Sequence, residues 1–200
     1  HARLGDKPRH TTAAEVVGRH VNRGHRGLAI CGISSGVGAS FLTANLAVAL
    51  SEAGVSTLVV DANLRRPGQE HFFRPAGPVP GLRQVLGPEE LSLSDVVHHD
   101  VIPNLSIVYA GQDQGRVADH LLGGERFRLF MEECLREHEC TLVDTPGANL
   151  APDARRVATV VGYALVVARR NLTFARDVAL FMRELSADGA TVLGSVLNAA

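Results

Sequence analysis

Six short apolar runs, each too brief to make a helix, punctuate this chain at 27–32, 57–61, 105–109, 141–144, 162–168 and 192–197. Continuous apolar residues over so short a span mark 27–32, 57–61 and 105–109 as buried strands, and the other three runs read as strands as well. The stretches between them carry helical signals instead. Leu42, Leu46, Ala49 and Leu50 fall on one stripe of a helix predicted over 40–53, and Gly54 stands where such a helix closes. Further helices are predicted over 124–138, 153–158 and 173–187. Because parallel neighbours need a crossover between them, strands alternating with helices of this length predict an α/β fold, a mostly parallel central sheet with helices on both faces.

Two regions fall outside that rhythm. Residues 62–104 hold most of the prolines and short apolar clusters near 82–86 and 91–97, which read as small helices in a long connection. Ahead of the first strand, residues 1–10 are polar and basic and read as a flexible lead or tag remnant, with His1 and Ala2 set aside. Thr11 and Thr12 can cap a helix reaching about residue 22, closed by Gly24. Residues 11–200 are then one domain, an ordinary size for a single core.

Composition removes several function classes. The formal charge is -1, from 20 basic and 21 acidic side chains, so no global field recruits nucleic acid or an anionic membrane. Only 4% of residues are aromatic and none is tryptophan, which disfavours a stacking surface for bases. Cys31, Cys134 and Cys140 cannot all pair and form no Cys-x-x-Cys, so reduced thiols are expected rather than a disulfide framework or structural zinc. No signal peptide and no apolar run of about 18 residues is visible, and the expected location is cytoplasmic.

In a parallel sheet, ligands bind beyond the carboxyl ends of the strands. The loop Ile33-Ser34-Ser35-Gly36-Val37-Gly38-Ala39-Ser40-Phe41 joins the first strand to a helix, so its backbone N–H groups can converge on an anion at the positive helix end. Gly36 and Gly38 allow close approach, and Ser40 places a hydroxyl where a P-loop holds magnesium. Asp61 and Asp144 each end a strand, so both carboxylates should emerge beside that loop and hold or water-link one Mg2+. A dinucleotide site competes, since Gly36-Val37-Gly38 begins a Gly-x-Gly-x-x-Gly pattern and Asp61 sits where a ribose-binding acid belongs; Phe41, however, fills the third glycine's place, where helix–strand packing needs a small residue. Two other clusters carry less. His98, His99 and Asp100 lack a further ligand at metal spacing and read as a solvated pair in a loop. Ser34 and Ser35 lack His and Asp partners for a hydrolase triad.

Together these segments resemble the bacterial tyrosine kinases (BY-kinases) of exopolysaccharide synthesis, and more closely the autokinases linked to chain-length determinants. The glycine loop with Thr43-Ala44-Asn45-Leu46-Ala47 resembles the family's Walker A region, 57–67 its Walker A′ signature, 141–146 its Walker B, and 164–171 and 192–198 its last two strands. The likeness is collinear over about 26–198. It implies a P-loop NTPase fold of the deviant-Walker, Min/Par-like type. It also implies ATP or ADP with Mg2+ as ligands, phosphate binding by Ser35, Gly36, Val37, Gly38, Ala39, Ser40 and Phe41, and Asn198 near the adenine. Ser40, Asp61 and Asp144 would organise the metal, with Asp61 and Asn63 at the catalytic acid positions. The implied partner is the cytoplasmic segment of a membrane-bound polysaccharide chain-length determinant, which would hold the chain at the inner membrane face; self-association into a homo-oligomer is a further implication.

Three departures cut across that pattern. Ala39 stands where the family has a lysine or arginine, Ser34 where Min and Par proteins have a second lysine, and Asn63 where the Walker A′ pair has its second acid. A charge-assisted hydrogen bond contributes roughly 1.5 to 3 kcal/mol, so a missing loop cation should weaken phosphate binding about ten- to a hundredfold. Arg65 and Arg66 are the candidates to compensate. The expectation is therefore a weak or inactive, pseudokinase-like regulator, with an active tyrosine autokinase and a Min/Par-type positioning ATPase as alternatives. Tyr109 and Tyr163, the only tyrosines, lie in or beside predicted strands, and a helix with Glu15, Gly18 and Val21 lacks the Glu-x-x-Arg-x-x-Arg pattern by which some relatives form rings.

Overall fold

A computed structural model of the protein describes residues 19–89, 91–112, 121–150 and 152–199. The lead over 1–10 and most of the helix expected up to residue 22, including Glu15 and Gly18, lie outside these residues. What is described of that helix is one 3-10 turn, Val21–Arg23, closed by Gly24 at φ 81°.

Among the described residues, seven strands form one sheet: β1 (Gly27–Gly32), β2 (Thr57–Asp61), β3 (Val97–Ile102), β4 (Leu105–Val108), β5 (Cys140–Asp144), β6 (Tyr163–Arg169) and β7 (Thr191–Asn198). Their spatial order is β3-β4-β2-β5-β1-β6-β7, and every neighbouring pair except β3–β4 is parallel. The predicted mostly parallel sheet with helices is therefore present. Its main helices are α1 (Ala39–Glu52), α4 (Glu125–Glu137), α5 (Asp153–Val161) and α6 (Ala175–Ala187), with the short α2 (Leu82–Leu86) and α3 (Leu93–Val96) in the long connection.

Side chains alternate across each strand, and this splits the core in two. Leu28, Ile30, Val59, Leu142 and Val167 face α1, packing with Leu46, Ala47 and Leu50. Ala29, Cys31, Val60, Val143 and Val166 face the other way, against Phe127 and Met131 of α4, Val157 of α5 and Leu185 of α6. The interior strands have water on neither face, which is why they read as unbroken apolar runs. Truncating a wholly buried residue such as Leu50 to alanine costs about 2–5 kcal/mol.

One element corrects the sequence reading. Residues 97–102, expected to end a small helix and continue as a loop, form the edge strand β3, which returns antiparallel to β4 through a turn with Asn104 at φ 63°. A register shift between His98 and Ile102 and a φ of 48° at Asp100 bend this strand, so His98, His99 and Asp100 are strand residues rather than a loop. His98 is half-buried, its ring edge-on to Tyr109 at 5.1 Å. All three cysteines are free and buried. Among the described residues no helix is long and apolar enough to cross a membrane.

Candidate functional site

The segment between β1 and α1 turns sharply over the carboxyl end of the sheet. Gly36 and Gly38 adopt φ of 82° and 91°, a region closed to most side chains, and Gly38 leads directly into α1. Distant side chains pin this loop in three places. Asn198, at the end of β7, donates from Nδ2 to the Val37 carbonyl at 3.0 Å, and Arg169, at the end of β6, donates to the Gly36 carbonyl at 3.1 Å. After β5, Asn149 Oδ1 accepts the Ser35 N–H at 3.0 Å. Asn198 is so close that a Cβ on Gly38 would lie 2.3 Å from its Nδ2.

Asp61 and Asp144 occupy directly opposed positions of the adjacent parallel strands β2 and β5, and neither is exposed. Their roles differ. Asp61 accepts the backbone N–H groups of Asn63 (3.1 Å), Gly68 (2.9 Å) and Gln69 (3.0 Å), and so folds the following segment over itself. Asp144 accepts from the Gln69 side-chain amide at 2.8 Å through Oδ2, while its Oδ1 is buried without a hydrogen-bond partner among the described residues. Burial pushes the Asp61 carboxyl up to about 6, against the pull of its three backbone donors. Burial and the neighbouring Asp61 charge push Asp144 up to about 7, with the Ser40 hydroxyl and Gln69 opposing. Two buried acids this close resist full ionisation unless a cation joins them.

Beside the loop lies a cavity of about 430 Å³, lined by Ser35 to Phe41, Asn63, Arg66, His71, Phe72 and Gly147 among others. Among its described lining residues the basic ones are Arg66 and His71. Ala39 offers a methyl group at the first turn of α1. Arg65 points elsewhere, its Nε bonding the nearly buried Asp153 at 3.1 Å on α5. Asn63 serves the local turn by accepting the Arg66 N–H at 3.2 Å. Phe41 is 36% exposed and sits 6.1 Å from the Phe72 ring at the cavity lip. Ser35–Phe41 and Asn63 thus line one cavity at the sheet edge where Asp61 and Asp144 end β2 and β5, but neither buried acid is among the lining residues, nor is Asn198, which braces the loop.

A magnesium ion fits this oxygen set. Asp144 Oδ1 has no donor among the described residues, the Ser40 hydroxyl lies beside the same carboxylate, and hard oxygen ligands are what such an ion takes. Gln69, Asn149 and Arg169 are the residues sequence reasoning missed. Their amide and guanidinium groups acquire meaning only through contacts 114 to 133 residues away for the loop clamps and 75 for Gln69, which leave no local pattern.

Over residues 28–196 the chain matches the family model described as the CobQ/CobB/MinD/ParA nucleotide binding domain. It is 30% identical over 171 residues to the tyrosine-protein kinase etk of Escherichia coli K12, covering 86% of this chain and 23% of that protein. It is 29% identical to the tyrosine-protein kinase ptk of Acinetobacter johnsonii, again covering 23% of the relative, and 28% identical to the putative tyrosine-protein kinase CapB of Staphylococcus aureus, covering 86% of it. The chain therefore spans about a quarter of the longer relatives. Among solved structures, the kinase domain of VpsO superposes with a TM-score of 0.83 at 27% identity, covering 96% of this chain and 97% of that one. The kinase domain of Escherichia coli ETK gives 0.79 at 28%, covering 88% and 68%. The likeness to bacterial tyrosine kinases read from the sequence holds.

Proposed function

Because the chain belongs to the CobQ/CobB/MinD/ParA nucleotide-binding family, we propose that it is a BY-kinase-like P-loop domain whose phosphate site has lost its cation and which acts as a weak or inactive regulator. The observation that carries this reading is Ala39. A methyl group occupies the first turn of α1 in a glycine-rich cradle at the sheet edge where the buried carboxylates of Asp61 and Asp144 end their strands. Phosphoryl transfer depends on positioning and charge stabilisation, so the chemical step suffers more than binding does.

The backbone around Ser35–Ser40 would hold the phosphates of ATP or ADP, and Ser40 with Asp144 the Mg2+, Asp61 orienting the segment that closes the site. Bound magnesium would supply charge neutralisation at the phosphate oxygens. The partner in this reading is the cytoplasmic segment of a membrane-bound polysaccharide chain-length determinant, which would place a cytoplasmic protein at the inner face of the membrane. Residues 11–200 would act as one domain, with self-association open to test.

A second reading, an active ATP-dependent tyrosine autokinase, is favoured by Arg66 and His71 on the cavity wall, which could replace the missing charge. Neither tyrosine in the chain offers a free hydroxyl as target: Tyr109 donates to the Phe73 carbonyl at 2.7 Å, and Tyr163 hydrogen-bonds His25 at 2.8 Å. Calorimetry with Mg-ATP and Mg-ADP, paired with phosphotyrosine detection on the full-length protein, separates the two readings. Weak binding and no phosphotyrosine support the regulator; micromolar binding with phosphotyrosine overturns it in favour of the kinase.

A further inference from the structure

Gln69 opens the 3-10 turn Gln69–His71 and is wholly buried. Its backbone N–H donates to Asp61 at 3.0 Å, and its side-chain Nε2 donates to Asp144 Oδ2 at 2.8 Å and to the Ser40 carbonyl at 3.2 Å. One residue therefore joins both rim carboxylates to the helix turn that carries the Ser40 hydroxyl. With both Nε2 hydrogens committed, the amide cannot be turned over without setting its oxygen against a carboxylate and a carbonyl. Among the described residues, Gln69 Oε1 is left buried without a donor, as is Asp144 Oδ1 on the residue it grips. Two orphaned oxygens on directly bonded side chains mark the place of an electropositive group. The neighbouring backbone is held down there too: a Cβ on Gly68 would lie 2.8 Å from Ser40 Oγ.

We propose that Gln69 is a direct protein ligand of a divalent cation, binding through Oε1 together with Asp144 Oδ1 and the Ser40 hydroxyl. This rests on the cation position of the preceding section and adds a ligand from the closing segment. The donor set is all oxygen with a single full carboxylate, which suits magnesium or manganese completed by water and phosphate and disfavours zinc. Because Asp61 already accepts three backbone N–H groups, the amide oxygen rather than that carboxylate completes the set from the β2 side. Cation binding would then fasten the segment over 63–73 to the phosphate loop.

The test is Mn2+ titration of the nucleotide-free protein by electron paramagnetic resonance. Gln69→Met, which keeps the volume and removes the oxygen, should weaken Mn2+ binding by about ten- to a hundredfold. Gln69→Glu should restore or exceed wild-type affinity, a rescue that a mere brace would not give. Equal or tighter binding by a folded Gln69→Met variant overturns the proposal. A readout on the wild type covers the case where these variants misfold: Mg2+ should shift the side-chain carbonyl 13C resonance of Gln69 and leave that of Gln84 in place, and an unmoved Gln69 signal at saturation overturns the proposal. A wild type with no Mn2+ site also overturns it, while metal-free calorimetry with ADP judges the nucleotide reading separately.

Discussion

Replacing Ala39 with lysine should return the charge that the phosphate loop lacks. Residue 39 opens α1 just after the left-handed Gly38 and lines the 430 Å³ cavity, so an extended lysine stem has room beside the phosphate position. One charge-assisted hydrogen bond contributes about 1.5–3 kcal/mol, so the affinity for ADP should rise about ten- to a hundredfold in Ala39→Lys. The ligand-free protein should respond in the opposite direction. A cation at a helix N-terminus opposes the macrodipole by about 0.3–1 kcal/mol, so the variant should unfold slightly more easily in denaturant without ligand and regain that loss with ADP. Calorimetry with ADP, with and without Mg2+, alongside urea unfolding reads both signs. A folded variant whose ADP affinity stays within about twofold of the wild type would refute the view that the missing cation limits this site.

Three further outcomes follow from the same geometry. Asp61→Ala leaves three backbone N–H groups without their acceptor and should cost about 2–5 kcal/mol in guanidinium unfolding; a loss below about 1 kcal/mol contradicts the role given to that carboxylate. The folded-state pKa values of Asp61 and Asp144 lie above the ordinary 3.8, so the folded state binds more protons than the unfolded one between that value and about 7. Stability from this pair therefore falls as pH rises through that window, and metal-free wild type should gain more than Asp144→Asn on acidification towards about pH 5 in thermal melts, with equal pH slopes counting against it. Burial pushes Cys31 and Cys140 up to about 12 and raises Cys134 as well, so a thiol reagent should titrate none of the three in the native protein and all after unfolding.

What could be read from the chain was whatever leaves a local trace. Interior strands such as β1, β2 and β5 are buried from end to end, so each appears as an apolar run, and the acids that finish β2 and β5 announce the rim. Edge strand β3 leaves no such trace. Its residues Val97-His98-His99-Asp100-Val101-Ile102 are only partly covered, pair with one neighbour and include a bend, so polarity and periodicity both resemble a loop. Element ends were also blurred, as at α5, which runs past 158 to Val161 until Gly162 at φ 87° stops it. At the site, glycine placement and the two acids were legible. The amides of Gln69 and Asn149 leave no such trace, because an amide in a loop is unremarkable until the fold delivers its partner. Asn63, at the position expected for the second acid, also caps the local turn by accepting the Arg66 N–H.

The three clamps on the glycine loop have a consequence for how such a domain can drift over generations. Asn198, Arg169 and Asn149 grip the loop through Val37, Gly36 and Ser35, and none of these grips involves the side chain at position 39. The mould keeps its contour whether or not the position that should read its cargo still can. Shape and charge thus rest on separate residues, so a single substitution at position 39 changes what the loop presents to an anion without loosening the three grips that hold it.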